Sequence, residues 1–376
     1  MVRDLFGLTL AELQEFCLAE GFPKFTAKQL CDWMYCKRVT NFDLMTNLSL
    51  KIRGRLKEIA TVGRYDATDV QVSVDGTKKY LFTIHHSSPS KLDGEEKASG
   101  FFDSEAEKIM PERAGACVTS INNYIESVYI PADDRATLCV SCQVGCRMGC
   151  RFCVTGQQGF HGNLSASQIL NQIFSIPEST TLTNIVFMGM GEPLDNYDAI
   201  LQTLEVLTAD WGLAWSPHRI TVSTVGVTPM LQRLLDETQV HVAVSLHNPF
   251  PDERGEMMPM EKAYPVAKTI DLLRQYDWSG QRRISFEYTM FRGINDDRRH
   301  AAALVQLLKG LNCRVNLIRF HSSPDTPYRS SDGGTMTQFR DYLSSHGITC
   351  TIRASRGEDI MAACGLLAGK AAQKDV

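Results

Sequence analysis

Residues 136–160 read ATLCVSCQVGCRMGCRFCVTGQQGF, and they hold Cys139, Cys142, Cys146, Cys150 and Cys153 out of 12 cysteines in 376 residues. Gly, Arg and Gln interleave them, so this is no run of small apolar core residues, and a cluster of this density points to metal ligation or redox chemistry. Cys146-x3-Cys150-x2-Cys153 places three thiolates on one tight loop. Such a loop suits three irons of a 4Fe–4S cluster and leaves the fourth iron open to an exogenous ligand. A zinc site from Cys139-x2-Cys142 with Cys150-x2-Cys153 is the rival reading. The spacer between those two pairs is shorter than zinc ribbons use. Iron–sulfur therefore leads, with zinc still open.

Downstream of this loop, strand-like runs rich in Val, Ile and Thr at 183–189, 219–223, 240–246, 283–290, 314–320 and 349–353 follow a first one at 136–144. Amphipathic stretches at 165–175, 197–209, 228–237, 265–276, 297–309 and 335–346 separate them. Ser165-x-x-Gln168 reads as a capping box, and Thr228-Pro229 as a cap with proline in the first turn. Repeated strand–helix units predict an α/β fold with a parallel sheet, open or partly closed into a barrel, with its chemistry at the carboxyl ends of the strands.

Upstream, 68–84 predicts a β-hairpin turning at Asp75-Gly76, with Val70, Val72 and Val74 alternating before the turn and Tyr80, Phe82 and Ile84 after it. Residues 87–115 lack periodicity and predict a long flexible insertion, carrying seven acidic against four basic side chains. Residues 1–62 predict a self-contained helical module with Thr26 as an N-cap and a basic run, KIRGRLK, at 51–57. The net charge of −4 is largely that of the insertion, so a basic face elsewhere is allowed. No apolar run is long enough to span a membrane, and Asp4, Glu12 and Glu15 stand where a signal peptide needs apolar residues. A cytoplasmic protein is expected.

The C-x3-C-x2-C loop with Phe152 before its last cysteine, opening a series of βα units, resembles the radical S-adenosylmethionine (radical SAM) superfamily. The stretch Thr137–Cys146, Arg151-Phe152-Cys153, Gln157-Gln158-Gly159-Phe160, Met188-Gly-Met-Gly-Glu192-Pro193 and Ala363-Cys364-Gly365 closely resembles the RlmN/Cfr family of adenine methyltransferases, in the order the family has them. That resemblance covers the chain apart from 87–115. It implies a partial (β/α)6 radical SAM barrel over 118–376 with a C-terminal methyl-carrier segment, a hairpin with insertion over 63–117, and an N-terminal helical RNA-docking domain over 1–62.

It also implies one [4Fe-4S] cluster on Cys146, Cys150 and Cys153, and SAM bound by Gly191, Glu192, Ser223, Ser245, Leu246, His247 and, where relatives carry Asn, His321. Glu192 would face the cofactor's amino group as a charge-assisted partner. By the same resemblance, Cys364 accepts a methyl from one SAM, and a radical made from a second SAM abstracts a hydrogen from it. The resulting carbon adds to C2 of adenine, giving a covalent protein–RNA adduct. Cys139 then attacks the sulfur of Cys364 and releases the base, a thiol exchange that needs a thiolate, and Glu126 takes the C2 proton. The implied partners are 23S rRNA, tRNA and a reducing donor such as flavodoxin or ferredoxin, with no membrane and a monomeric enzyme. C8 methylation, as in Cfr, is the near alternative; a non-catalytic zinc RNA-binding protein is the distant one. Arg314, Arg319, Arg329, Arg353 and Arg356 are candidates for a basic rim.

Overall fold

The computed structural model describes residues 2–84, 124–322 and 326–368; the insertion at 87–115 lies outside them. Near the N-terminus β1 (Arg3–Asp4) pairs with β2 (Ala60–Thr61) in parallel. β3 (Asp69–Val72), β4 (Lys78–Thr83), β5 (Tyr124–Pro131) and β6 (Ala136–Cys139) run antiparallel in succession. β7 (Gln143–Gly145) and β8 (Phe160–Asn163) form a small ribbon flanking the cysteine loop. From β6 onward the sheet is parallel: β9 (Asn184–Phe187), β10 (Ile220–Thr224), β11 (His241–Ser245), β12 (Ile284–Met290), β13 (Arg314–Arg319) and β14 (Thr349–Ile352) each lie beside the strand before them.

The ten-stranded order β14-β13-β12-β11-β10-β9-β6-β5-β4-β3 is therefore an open barrel of βα units, extended at one edge by an antiparallel hairpin. Because these parallel strands lie side by side, the ends of β6 and of β9 to β14 face one rim. The strands read as near-continuous apolar runs because both faces are covered. Ile185, Phe187, Val222, Val244, Phe286, Val315 and Leu317 are all buried. Helix Ala166–Phe174 starts at the expected capping box, with Ser165 Oγ accepting from Gln168 N–H and the Gln168 side chain accepting from Ser165 N–H. At the third unit the cap differs: Val227 holds the N-cap position of helix Thr228–Glu237, and Thr224 Oγ1 accepts the Gly226 and Val227 N–H groups.

The hairpin forms as expected, β3 and β4 pairing across the Asp75-Gly76 turn, and two other expectations are corrected. Thr26 is not a cap but lies buried inside helix Phe25–Cys31, whose N-cap is Lys24. Residues 1–62 are not self-contained: Phe6 packs edge-on against Phe174 at 5.2 Å, Tyr35 meets Trp211 at 5.9 Å, and Gln202 Nε2 donates to Gly7 O at 3.0 Å. A module this small gains much of its apolar burial from the barrel's outer helices. The valines of the hairpin lie at the free edge of the sheet, where Val74 is 96 % exposed, while Tyr80 and Phe82 on β4 carry the burial. Of the KIRGRLK cations, Arg55 pairs with Glu20 and Glu58, Lys57 with Asp43, and Arg53 donates to Asp43 O. Much of that basic run is satisfied within the chain.

Candidate active site

A cleft of about 1040 Å³ opens where β9 to β14 end, and it gathers residues far apart in sequence: Cys146, Cys150 and Cys153, then Gly191 and Glu192, Ser223, Ser245, His247, Glu287, Arg353 and Cys364. The loop bearing the first three cysteines is fixed from three sides. Cys146 N–H donates to Gly159 O at 2.9 Å, and Arg151 N–H to Met257 O at 2.9 Å. Arg147, whose guanidinium lies 3.9 Å from the Phe160 ring centroid, pairs with Asp195 at 2.8 Å. Burial pushes the Cys150 thiol up to about 12.

These residues fit an iron–sulfur cluster. The buried Cys146 and Cys150 and the half-buried Cys153 share one cavity wall. The four-thiol set of the zinc reading is divided: Cys142 lies off the cleft wall and donates to Met190 O at 3.6 Å.

The loop after β9 approaches the cysteine loop so closely that only glycine fits. Gly191 sits at φ +101°, and a Cβ there would lie 2.6 Å from Gln143 Cβ and 2.9 Å from Cys142 Sγ. Gln143 locks the two loops together: its Oε1 accepts Glu192 N–H at 2.9 Å, and its Nε2 donates to Asp195 and Asn163 at 2.7 and 2.8 Å. The Glu192 carboxylate accepts from Val225 N–H at 2.9 Å and Leu194 N–H at 3.1 Å. Burial nonetheless raises its pKa to about 7. A buried carboxylate poised near neutrality is suited to a cationic or N–H-donating ligand. His247, at the left-handed φ of +54°, accepts Thr289 N–H on Nδ1 at 2.9 Å and meets Phe152 edge-on at 4.9 Å. Burial and then Arg254 lower its pKa to about 3, so the ring is neutral and its proton sits on Nε2.

The C-terminal segment closes the cleft. Val154 N–H donates to Gly365 O at 2.9 Å, Thr155 Oγ1 to Leu367 O at 2.7 Å and Gln158 Nε2 to Ala368 O at 2.8 Å. Cys364 is thereby held at the cleft with its surface exposed, while Cys139 is buried at the end of β6. Arg353 lines the same cleft as Cys364, its Nη1 3.3 Å from Glu287 Oε2 and 3.5 Å from Met188 Sδ.

Two family profiles match the chain: Radical SAM superfamily over residues 140–305, and Ribosomal RNA large subunit methyltransferase N-terminal domain over residues 3–62. The sequence is 52% identical over 369 residues to a protein of Porphyromonas gingivalis named probable dual-specificity RNA methyltransferase RlmN, covering 98% of each chain. The chain belongs to the RlmN family. An RlmN of Syntrophus aciditrophicus is 38% identical over 377 residues, covering 99% of this chain and 97% of that one. The crystal structure of a radical SAM methyltransferase from Sphaerobacter thermophilus superposes with a TM-score of 0.82 at 36% identity, covering 98% of this chain and all of the other.

Not every residue expected from the RlmN resemblance lies on the cleft wall. Leu246 is buried behind it. His321 faces Ser355 Oγ at 3.0 Å and Glu358 at 3.7 Å, away from the lining. Glu126, 2 % exposed, accepts Ala368 N–H at 2.8 Å and pairs with Lys79 at 3.3 Å, so its carboxylate clamps the C-terminal segment. Arg353 lines the cleft itself and pairs with Glu287 at 3.3 Å. Glu287, Gln143 and Asp195 were missed, because nothing local in sequence marks a strand residue or an amide as part of this RlmN cleft.

Proposed function

We propose that this enzyme is an RNA methyltransferase of the radical SAM type, placing a methyl group on C2 of an adenine in 23S rRNA and in tRNA through Cys364. The observation that carries this reading is that Cys364 and the three cysteines of the C-x3-C-x2-C loop share the wall of one cleft. Cys146, Cys150 and Cys153 would hold the cluster; Gly191, Glu192, Ser223, Ser245 and His247 would hold SAM, with Leu246 buttressing and His321 further out. The bound cluster and SAM supply one-electron chemistry able to take a hydrogen atom from an unactivated methyl group.

The chain's own residues do the rest. The exposed Cys364 sulfur takes the methyl group, and Cys139 releases the product by thiol exchange. Glu126 serves as proton acceptor once Ala368 N–H gives up its carboxylate. The base has to leave the RNA stack to reach the rim. A small soluble reductant such as flavodoxin or ferredoxin, a monomeric state and a cytoplasmic location belong to the same proposal. Among the described residues no helix is long and apolar enough to cross a membrane.

Mass spectrometry of RNA incubated with the loaded enzyme, SAM and reductant tests it. A methyl on adenine C2 is expected; a methyl on C8, or none, overturns the assignment.

Glu192 adds a pH test. Its pKa of about 7 in the free protein means that ligand binding to the ionised form takes a proton off as pH rises from about 5 to 7. Affinity for SAM should climb through that window and level off above it. Glu192→Gln should remove one proton's share of the slope, about tenfold per pH unit. Titrations of SAM binding at several pH values check this.

A further inference from the structure

Asn295 lies in the turn between β12 and helix Arg298–Leu308 and is fully buried. Its amide uses each of its groups at the edge of the cleft. Nδ2 donates to His247 O at 2.6 Å and to Thr289 O at 2.8 Å, and Oδ1 accepts Phe291 N–H at 2.7 Å. Two carbonyls and one N–H around the amide permit only this orientation. Tyr288 Oη, on a side chain that is also fully buried, donates to Asn295 O at 2.7 Å and keeps the turn seated.

His247 needs such a hold. It is the centre of a three-residue turn closed by Asn248 N–H to Leu246 O at 2.7 Å, at a left-handed φ of +54° that is costly for a residue with a Cβ. Strain of this kind persists only where the surroundings over-determine it. On one side His247 N–H and Leu246 N–H both donate to Glu287 O, at 3.2 and 3.0 Å; on the other Asn295 holds the His247 carbonyl. The ring is set separately. Thr289 N–H donates to Nδ1 at 2.9 Å, and Phe152 of the cysteine loop meets the imidazole edge-on at 4.9 Å. Because Nδ1 accepts, the proton of the neutral ring lies on Nε2, and among the described residues no group accepts from it. One amide thus fixes both the carbonyl of His247 and the strand end against which its ring is set, on a residue that lines the cleft.

We propose that Asn295 is a positioning residue for SAM: by holding the His247 carbonyl and the end of β12, it keeps the imidazole turned so that Nε2–H donates to an acceptor atom of the cofactor. This rests on the reading of His247 as a SAM contact and adds the buried amide, 48 residues further along the chain, that sets its direction.

The test is equilibrium binding of SAM to the full-length, cluster-loaded enzyme without reductant, with the melting temperature of each variant measured beside it. Asn295→Ala should weaken SAM binding about tenfold, the size of one lost hydrogen bond to a ligand, and His247→Ala should weaken it at least as much. The double variant should bind no more weakly than His247→Ala alone, because the amide acts through that ring. A general loosening of the fold would instead give additive losses, and additivity overturns the proposal. Wild-type affinity in Asn295→Ala overturns it too. Should Asn295→Ala not fold, Asn295→Asp substitutes for it, since the carboxylate still accepts Phe291 N–H while both donations are lost; its combination with His247→Ala then decides in the same way. Wild-type affinity in His247→Ala overturns the SAM-contact reading and the proposal with it, whereas a His247→Ala loss that merely adds to the Asn295 loss overturns the proposal alone.

Discussion

Replacing Cys364 by alanine is expected to abolish RNA methylation, by on the order of a thousandfold or more, as for loss of an enzyme nucleophile. The cluster's absorbance should survive, because the backbone contacts holding the segment, Val154 N–H to Gly365 O and Ala368 N–H to Glu126, do not involve the sulfur. Turnover of methylated RNA and the visible spectrum, measured on one preparation, check both halves. Normal turnover in Cys364→Ala would place the methyl carrier elsewhere and remove the main support for the proposed function.

The second large effect is structural. Arg254 is 1 % exposed and spends its whole guanidinium inside the barrel rim: Nε donates to Leu246 O at 2.9 Å, Nη2 to Val225 O at 2.9 Å and Ser245 O at 2.8 Å, and Nη1 pairs with Glu261. It thus ties the end of β10 to the end of β11. Arg254→Met would leave the buried Glu261 without its cationic partner, with only Val266 N–H donating to it, and would take this donor from Val225 O, Ser245 O and Leu246 O, the last of which keeps Asn248 N–H, a loss of about 3–5 kcal/mol by analogy with broken buried pairs. Thermal and urea unfolding should report it. Arg254→Met with Glu261→Leu should recover part of the loss, since an apolar pair removes the stranded charge. A melting curve unmoved by the single substitution would show that the rim does not depend on this residue.

What the sequence made legible follows from how local each signal is. Cys146, Cys150 and Cys153 lie within one loop, and a capping box needs only Ser165 and Gln168. Both could be read before any fold was known, and the structure keeps both in place. The alternation of Val-rich runs with amphipathic stretches located β9 to β14 within a few residues, because burial on both faces leaves an unambiguous pattern. Arg353 could not be read this way. Its two side-chain partners lie 66 and 165 residues earlier in the chain, and a lone arginine after a strand looks like any surface charge. The hairpin was legible too, because alternation and an Asp-Gly turn are local signals, but alternation reports which residues share a face and not whether a neighbour covers it, and β3 has no strand on its outer side. Glu126 came only from the family resemblance, since a Glu on an alternating strand is usually just solvated. The structure pairs it with Lys79 on the neighbouring β4 and with Ala368 N–H, the second contact made only by the folded C-terminal segment.

The two free edges of the long sheet meet through polar side chains instead of a strand ladder. Asp359 accepts from Ser73 Oγ and from Val74 N–H at 3.1 Å, and Asp75 accepts Gly357 N–H at 3.1 Å, joining the hairpin tip to the stretch that precedes Cys364. Each such bond contributes about 0.5–1.5 kcal/mol. A buckle held by three of them unfastens at modest cost while every parallel strand stays paired. Loss of those bonds would leave the contacts that fix the cysteine loop, Cys146 N–H to Gly159 O and Arg151 N–H to Met257 O, untouched.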